Sequence, residues 1–307
     1  MAKISIIGAG NVGATTAQRL VEKDLADVVL LDIIDGLPQG KALDIAHSAH
    51  ILGFNSSITG TNDYADTSGS DIVIITSGAS RKPGMTRDQL TGINAGIVGE
   101  VAGQIKKTSP HAVLLVVTNP VDAMTYLAIK TGDFPPGKVI GLSGALDGSR
   151  LAYLLSRQLN VPVTDIDVYV LGEHGQEMVV IPRLNSIRGI ALNKMLPGEA
   201  IDAIIQKTIG SGAEVINLLK TSSAYYAPSA AVACMAEAVL LDSKRIFTST
   251  VFLQGEYGLK DVALGVPLRL GREGVASIIQ LELDQAEKKR LARSARAVKQ
   301  LIGQLGL

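Results

Sequence analysis

The amino-acid sequence predicts an α/β fold, in which a doubly wound parallel sheet is followed by an α+β region with antiparallel strands. Two observations support this prediction. In the first half of the chain, short apolar runs alternate with segments of helical spacing. In the second half, apolar runs follow one another after only a few residues, which favours antiparallel pairing.

Five apolar runs in the first half are predicted strands. They lack the alternation of polar and apolar residues, which is typical of parallel strands covered by helices on both faces. The runs are "KISII" (3–7), "VVLL" (28–31), "DIVIIT" (71–76), "AVLLVV" (112–117) and "KVIGL" (138–142). Segments of helical spacing, such as "NAGIVGEVAGQIKKT", lie between them. This β-α-β-α order predicts a Rossmann-type sheet.

The second half has a different pattern. Its predicted strands are "IDVYVL", "MVVIP", "RGIAL", "STVFLQG" and "VALGVPLRLG". Because the pattern changes near Gly144, we expect one domain over 1–143 and a second over 144–307. The chain ends in a predicted helix, in which Asp284 and Glu287 have the spacing of a capping box and apolar residues share one face.

The composition argues against several classes of function. The chain has 307 residues, of which 47% are hydrophobic and 19% charged, so it can bury a large core. Lysine plus arginine equals aspartate plus glutamate, 29 of each, so no net positive field favours nucleic acid or anionic lipid. No segment has the length of a membrane helix or of a signal-peptide core. The single cysteine, Cys234, predicts a buried, inert thiol and fits a reducing, cytoplasmic setting.

A glycine-rich turn follows the first predicted strand. In "IIGAGNVG", Gly8, Gly10 and Gly13 have the G-x-G-x-x-G spacing, which suits a tight turn, close approach of a pyrophosphate, and packing of a helix on the strand. Asp32 ends the second predicted strand, where a carboxylate accepts hydrogen bonds from ribose hydroxyls and repels a 2′-phosphate. The pattern predicts NAD in preference to NADP. The alternative is a structural turn beside an unrelated surface aspartate.

His174 is the candidate for acid–base chemistry among the four histidines. It lies between glycines in "VLGEHGQE", directly after a predicted strand, and the pKa of histidine near neutrality suits proton transfer. An ordinary surface histidine is the alternative. His47 and His50 lie near Asp44 at spacings of three, but no cysteine or fourth ligand is nearby, so we predict no metal site.

Two further segments carry polar side chains suited to an anionic substrate. In "LDGSR", Asp147 and Arg150 share one helical face. They form either a simple ion pair or a site in which Asp147 orients a histidine and Arg150 binds a carboxylate. In "TNPVD", Asn119 follows the fourth predicted strand, at the sheet edge where such folds bind ligands. An Asn-Pro turn is the alternative there.

Together these motifs resemble those of the lactate/malate dehydrogenase family. The motifs "GAGNVG", "RKPGMTR", "TNPVD", "LDGSR" and "GEHG" occur in the family's order and spacing, and the resemblance covers essentially the whole chain. It is closest to the malate dehydrogenases that resemble lactate dehydrogenases. The resemblance implies an NAD-dependent enzyme of the tricarboxylic acid cycle that interconverts malate and oxaloacetate.

The resemblance also implies a role for each site residue. His174 would donate and accept the proton, with Asp147 orienting its imidazole, and Arg87 would polarise the carbonyl being reduced. Arg150 would bind the C1 carboxylate, and Asn119 would contact the substrate oxygen and the nicotinamide side. The NAD site would be lined by Gly8, Gly10, Asn11, Val12, Gly13, Asp32, Asn94, Val117 and Asn119.

Three positions bear on the choice of substrate. The position of Arg81 faces the substrate group beyond C2 in the family; lactate dehydrogenases commonly have glutamine there, whereas an arginine suits a second carboxylate. Glu173 is more typical of lactate dehydrogenases, and Ser222 stands where malate enzymes commonly have glycine. A lactate or other 2-hydroxy-acid dehydrogenase is therefore one alternative, and a catalytically silent NAD-binding protein is another. Relatives are dimers or tetramers, so we expect a homo-oligomer, with a tetramer favoured.

Overall fold

The computed structural model describes residues 1–79 and 87–306. Two predicted substrate residues fall at the gap between these ranges. Arg81 lies outside the described residues, and Arg87 is described only as the first residue of a helix, without its side chain.

A six-stranded parallel sheet forms the first half of the chain, in the order β3-β2-β1-β4-β5-β6. The strands are β1 (Lys3–Ile7), β2 (Asp27–Leu31), β3 (Ile58–Thr61), β4 (Ile72–Ile75), β5 (Val113–Val116) and β6 (Val139–Gly141). This arrangement confirms the predicted doubly wound sheet. The edge strand β3 was not predicted, because its sequence "ITGT" is half polar and three of its four residues are at least partly exposed.

Helices cover this sheet. They are α1 (Asn11–Val21), α2 (Leu37–His47), α3 (Ala49–Leu52), α4 (Arg87–Thr108) and α5 (Val121–Gly132). The core-facing residues of α1, among them Ala17, Leu20 and Val21, are buried. Helix α5 is buried on almost every side, since it packs against α4, the strands and the second half of the chain.

The second half extends the same sheet with antiparallel strands, as predicted. Strand β6 pairs with a strand of the second half at Thr250, and the sheet continues in the order β12-β13-β8-β9, with β14 on β13. The strands are β7 (Ile166–Asp167), β8 (Val170–Gly172), β9 (Met178–Val180), β10 (Ser186–Ile187), β11 (Ile190–Ala191), β12 (Ile246–Gln254), β13 (Lys260–Gly271) and β14 (Gly274–Ile278). The helices are α6 (Gly144–Leu159), α7 (Leu192–Met195), α8 (Gly198–Leu219), α9 (Tyr226–Leu240) and α10 (Gln285–Gln304).

The prediction of one strand over "IDVYVL" is wrong. The segment divides into β7, which belongs to a small sheet with β10 and β11, and β8, which belongs to the main sheet. The backbone N–H of Tyr169, between them, donates to Oδ1 of the buried Asn185 at 2.6 Å. A side chain thus replaces a strand partner at this point and lets the chain pass from one sheet to the other.

Helix α10 begins as predicted. The Asp284 carboxylate accepts from the backbone of Glu287, and the Glu287 carboxylate accepts from the backbone of Asp284, which is a complete capping box. The predicted apolar face of Leu291, Ala295, Val298 and Ile302 is buried. Among the described residues, no helix combines the length and apolar character that crossing a bilayer requires.

The prediction of a buried Cys234 is wrong, because the cysteine is partly exposed. Arg245 Nη1 lies 3.0 Å from its sulfur, so the thiol contacts a charged side chain.

Candidate active site

The glycine-rich turn lies where β1 passes into α1. Gly8 has φ +109, and a Cβ there would lie 2.6 Å from the Ser77 nitrogen. A Cβ at Gly13 would lie 1.9 Å from the Gly8 oxygen. Gly8 therefore excludes larger residues through its positive φ and its contact with the segment after β4. Gly13 excludes them because α1 packs closely on the turn, which is the role predicted for the third glycine of the motif.

Gly10 is different, since neither its backbone conformation nor packing within the chain requires a glycine there. Its φ of −66 and ψ of −170 suit any residue, and a Cβ there would have no neighbour within 4 Å. The position is exposed and is the N-cap of α1, whose first amides lack intrahelical acceptors. An open, amide-lined surface of this kind fits a pyrophosphate that approaches the backbone. The turn therefore fits the predicted dinucleotide.

Two charged side chains hold Ala9, between the first two glycines. Asp32 Oδ2 accepts from the Ala9 N–H at 2.7 Å, and Lys41 Nζ donates to the Ala9 oxygen at 2.7 Å. Asp32 Oδ1 also accepts from the Ile34 N–H at 3.0 Å. The carboxylate predicted to bind ribose thus lies directly against the glycine turn and is still partly exposed. The contact of Lys41 was not predicted, because no motif marked this residue.

Asn94 joins the loops that follow β4 and β5. Its Oδ1 accepts from the Ala79 N–H at 2.8 Å, and its Nδ2 donates to the Asn119 oxygen at 2.8 Å. Asn119 itself is exposed at the carboxyl edge of the sheet, and Val117 is partly exposed beside it. The predicted cofactor residues of four neighbouring segments therefore share one edge of the sheet.

The predicted catalytic residues of the second half come together at the end of β8 and the start of α6. His174 Nδ1 lies 2.7 Å from Asp147 Oδ2, and Arg150 Nη1 lies 3.3 Å from Asp147 Oδ1. The side chain of Asp147 is only 2% exposed, whereas those of His174 and Arg150 are 13% and 18% exposed. Asp147 is thus buried behind an imidazole and a guanidinium that keep some access to solvent.

The electrostatic surroundings favour the protonated form of His174. Burial by itself would lower the pKa of the imidazole, but the charge and hydrogen bond of Asp147, together with the charge of Asp122, raise the pKa above its usual value. The Arg150 charge opposes this rise. With Nδ1 bonded to Asp147, Nε2 is the nitrogen left to exchange a proton with a substrate.

Asp122 is the residue of this region that sequence reasoning missed. Its Oδ2 accepts from the His174 backbone N–H at 2.8 Å, and its Oδ1 accepts from Thr250 Oγ1 at 2.5 Å. Burial raises the pKa of this carboxyl to about 6. The signal was present in the sequence, because Asp122 is the last residue of "TNPVD", but only Asn119 of that motif was interpreted.

Reduction of an anionic carbonyl compound requires a cation for the carboxylate, a proton donor and a bound dinucleotide. Arg150, His174 and the neighbouring sheet edge are the candidates for these three roles. His47, His50 and His111 are exposed and lie elsewhere in the fold. Within residues 1–79 and 87–306, no group of three or more His, Cys, Asp or Glu side chains is placed to hold a metal ion.

Comparison with protein families gives two matches that together span nearly the whole chain. Residues 2–141 match the family described as lactate/malate dehydrogenase, NAD binding domain. Residues 144–305 match the one described as lactate/malate dehydrogenase, alpha/beta C-terminal domain.

Individual relatives match over their full lengths. The malate dehydrogenase of Dehalococcoides mccartyi is 52% identical over 307 residues, and that of Methanosarcina acetivorans is 47% identical over 307 residues; each match covers 100% of both chains. Among solved structures, the malate dehydrogenase of Salinibacter ruber has a TM-score of 0.94 and 43% identity, covering 99% of this chain and 97% of that one. The lactate dehydrogenase of Cryptosporidium parvum, complexed with lactic acid and NAD, has a TM-score of 0.96 and 40% identity, covering 99% of this chain and 98% of that one.

Proposed function

The chain belongs to the lactate/malate dehydrogenase family, and we propose that it is an NAD-dependent malate dehydrogenase that interconverts malate and oxaloacetate. The observation that carries this proposal is the buried contact of Asp147 with His174 and Arg150, beside a glycine turn that fits a dinucleotide. Bound NADH supplies the hydride for the carbonyl carbon. The chain's own residues supply binding, orientation and the proton.

His174 is the proposed proton donor and acceptor. In oxaloacetate reduction the imidazolium gives its Nε2 proton to the carbonyl oxygen, and in malate oxidation the neutral imidazole takes it back. Asp147 holds the ring in one orientation through Nδ1 and stabilises the imidazolium. Because the pKa of His174 is raised, the donor form persists above the usual pH range of histidine.

Arginines are the proposed substrate ligands. Arg150 is held by Asp147 and binds the C1 carboxylate, while Arg87 polarises the carbonyl and Arg81 binds the second carboxylate. The roles of Arg81 and Arg87 rest on the "RKPGMTR" motif and on the names of the relatives. Asn119, at the sheet edge, is the proposed contact for substrate and nicotinamide.

The NAD site is proposed to combine the glycine turn with the ends of β2 and β5. Gly10 lets the pyrophosphate approach the backbone. Asp32 accepts hydrogen bonds from the ribose hydroxyls and also from the Ala9 N–H. Asn94 acts by holding the loops of Ala79 and Asn119 together. We also assign residues 1–143 to this NAD-binding unit and 144–307 to the substrate unit.

A homo-oligomer, with a tetramer favoured over a dimer, completes the proposal. Helices α2 and α3 expose a row of apolar side chains, with Leu43 at 58%, Ile51 at 83% and Leu52 at 56% exposure. In a symmetric oligomer, a second copy of the chain would cover these apolar side chains. We place the enzyme in the cytoplasm, because the free Cys234 thiol fits a reducing compartment. We assign it to the tricarboxylic acid cycle, because malate and oxaloacetate are its proposed substrates.

A lactate dehydrogenase is the second candidate function. The Cryptosporidium parvum lactate dehydrogenase fits this fold as closely as the malate enzymes do, so backbone geometry does not discriminate the two. Discrimination depends on the group that meets Arg81. With pyruvate, a methyl group would leave the arginine charge without a partner in a closed site, at a cost of about 3–5 kcal/mol, or roughly a thousandfold.

The test is kcat/KM for oxaloacetate and for pyruvate with NADH, in the parent and in Arg81→Gln. We expect the parent to prefer oxaloacetate by about a thousandfold and the variant to lose most of that preference while gaining activity with pyruvate. A parent that prefers pyruvate would overturn the malate assignment. If neither acid is turned over, the proposal that the chain is an active dehydrogenase is overturned.

A further inference from the structure

Asp122 is a buried carboxylate that the proposed mechanism does not use. It is 3% exposed and lies in the first turn of α5, three residues after Asn119. Its two oxygens are taken by the backbone N–H of His174 and the hydroxyl of Thr250. It thus connects the carboxyl edge of the parallel sheet to the histidine loop and to β12.

A neutral acceptor is enough to hold a backbone amide, as the neighbouring residue demonstrates. The N–H of Glu173, directly before His174, donates to Oγ of the buried Ser294 at 2.6 Å. Two consecutive amides of the histidine loop are therefore anchored, one by a hydroxyl from α10 and one by a carboxylate from α5. Burying a carboxylate costs far more than burying a hydroxyl, so anchoring alone does not explain Asp122.

The charges around His174 indicate what the second carboxylate does. Helix α6 contributes Asp147 and Arg150, and α5 contributes Asp122. The loop itself contributes Glu173 and Glu177, and Arg293 from α10 pairs with Glu177 at 2.6 Å. Arg150 disfavours the imidazolium, whereas Asp147 and Asp122 favour it. Asp122 thus counteracts the arginine that an anionic substrate requires.

We propose that Asp122 is a positioning residue that holds the His174 backbone and, as a second negative charge close to His174, keeps the imidazolium stable beside Arg150. Its catalytic meaning rests on the proposed function. The electrostatic coupling between the two residues does not, because it belongs to the free protein and is measurable without any substrate.

The test compares Asp122→Asn with Ser294→Ala in the full-length protein. Asparagine keeps an oxygen for the His174 amide, and its NH2 group donates to the Thr250 hydroxyl instead of accepting from it, so the variant removes the charge and retains both contacts. Ser294→Ala removes the other anchor and leaves the charge. His174 is one of four histidines, so its pKa can be followed by NMR in the free protein. Thermal unfolding at pH 8, NADH affinity and the pH profile of kcat/KM for oxaloacetate complete the set.

We expect Asp122→Asn to lower the pKa of His174 by about one unit, with a tenfold loss of kcat/KM at pH 8 and unchanged NADH affinity. Its Tm at pH 8 should equal or exceed that of the parent, because a buried charge has been removed. Ser294→Ala should lower Tm and leave the pKa of His174 in place. If the pKa of His174 in Asp122→Asn equals that of the parent, or if both variants shift it by the same amount, the proposal is overturned.

If Asp122→Asn does not fold, Thr250→Val provides a second test of the proposal. It removes the hydroxyl donor to Asp122 Oδ1 with little change of shape. The carboxyl should then hold its proton to higher pH, and the pKa of His174 should fall. An unchanged histidine titration in this variant would overturn the proposal as well. If the parent turns over no 2-keto acid, the proposed function fails, yet the NMR titration still decides the role of Asp122.

Discussion

Two glycines of the turn after β1, Gly10 and Gly13, should respond in opposite ways when each is changed to alanine. Gly10→Ala places a methyl group where no atom lies within 4 Å, on a backbone that alanine adopts readily. Gly13→Ala places it 1.9 Å from the Gly8 oxygen, a backbone atom that cannot move without shifting α1 from β1. If Gly10 serves a ligand and Gly13 serves packing, the two variants should separate binding from stability.

The magnitudes follow from these surroundings. Gly10→Ala should change the free energy of unfolding by less than about 1 kcal/mol, since the restriction of the unfolded chain by alanine is offset by its poorer fit at the N-cap of α1. It should weaken NADH binding at least ~10-fold, or about 1.4 kcal/mol, because the methyl group occupies the approach of the pyrophosphate. Gly13→Ala should cost about 1–3 kcal/mol of stability or more, since it overpacks the helix–strand contact.

The assays are urea unfolding and a fluorescence titration with NADH, run on the parent and both variants. Parent-like NADH affinity in Gly10→Ala would show that the cofactor does not approach this position. Parent-like stability in Gly13→Ala would show that α1 and β1 are not packed as described.

Three further predictions concern His174 and the second half of the fold. His174→Asn should lower kcat for oxaloacetate reduction by about 100-fold or more and leave NADH binding intact, and a kcat near that of the parent would rule out the proton-transfer role. In the parent, log kcat/KM for reduction should fall as pH rises through the raised pKa of His174, because the imidazolium donor is lost there. Arg183→Met should lower the free energy of unfolding at pH 7, because Glu287, with a side chain only 6% exposed, loses its Arg183 partner. The hydrogen bond of Arg183 lowers the pKa of Glu287 in the folded protein. The difference in unfolding free energy between parent and variant should therefore be complete above about pH 4.5, the pKa of Glu287 in the unfolded chain, and should shrink as pH falls through the lower, folded pKa. A difference in stability that does not change with pH would contradict this reasoning.

Most of the sheet could be predicted because its strands are apolar on both faces. Strands such as Ile72–Ile75 and Val113–Val116 are wholly buried, and this burial requires the unbroken apolar runs that the sequence contains. Strand Ile58–Thr61 escaped prediction because it lies at an edge and needs no such run. The division of "IDVYVL" escaped prediction because it depends on Asn185, sixteen residues away from Tyr169.

The candidate site was predictable where a local motif carries the chemistry. His174, Asp147 and Arg150 stand in short motifs, and the structure brings them into contact. Lys41 and Thr250 have no motif, and their contacts with Ala9 and Asp122 arise only through the tertiary fold. Such residues hold other residues in place, and a single sequence does not record which partner each one meets.

The most direct test of the central claim follows the hydride itself. Oxaloacetate is incubated in ordinary water with NADH that carries deuterium at the transferable C4 position, and the product is examined by mass spectrometry and NMR. The proposed chemistry predicts malate with one deuterium on C2 and a hydroxyl proton from solvent, formed at a rate that falls about 100-fold or more in His174→Asn. Absence of malate, or malate without deuterium at C2, would contradict the claim that this site transfers hydride to the carbonyl carbon of oxaloacetate.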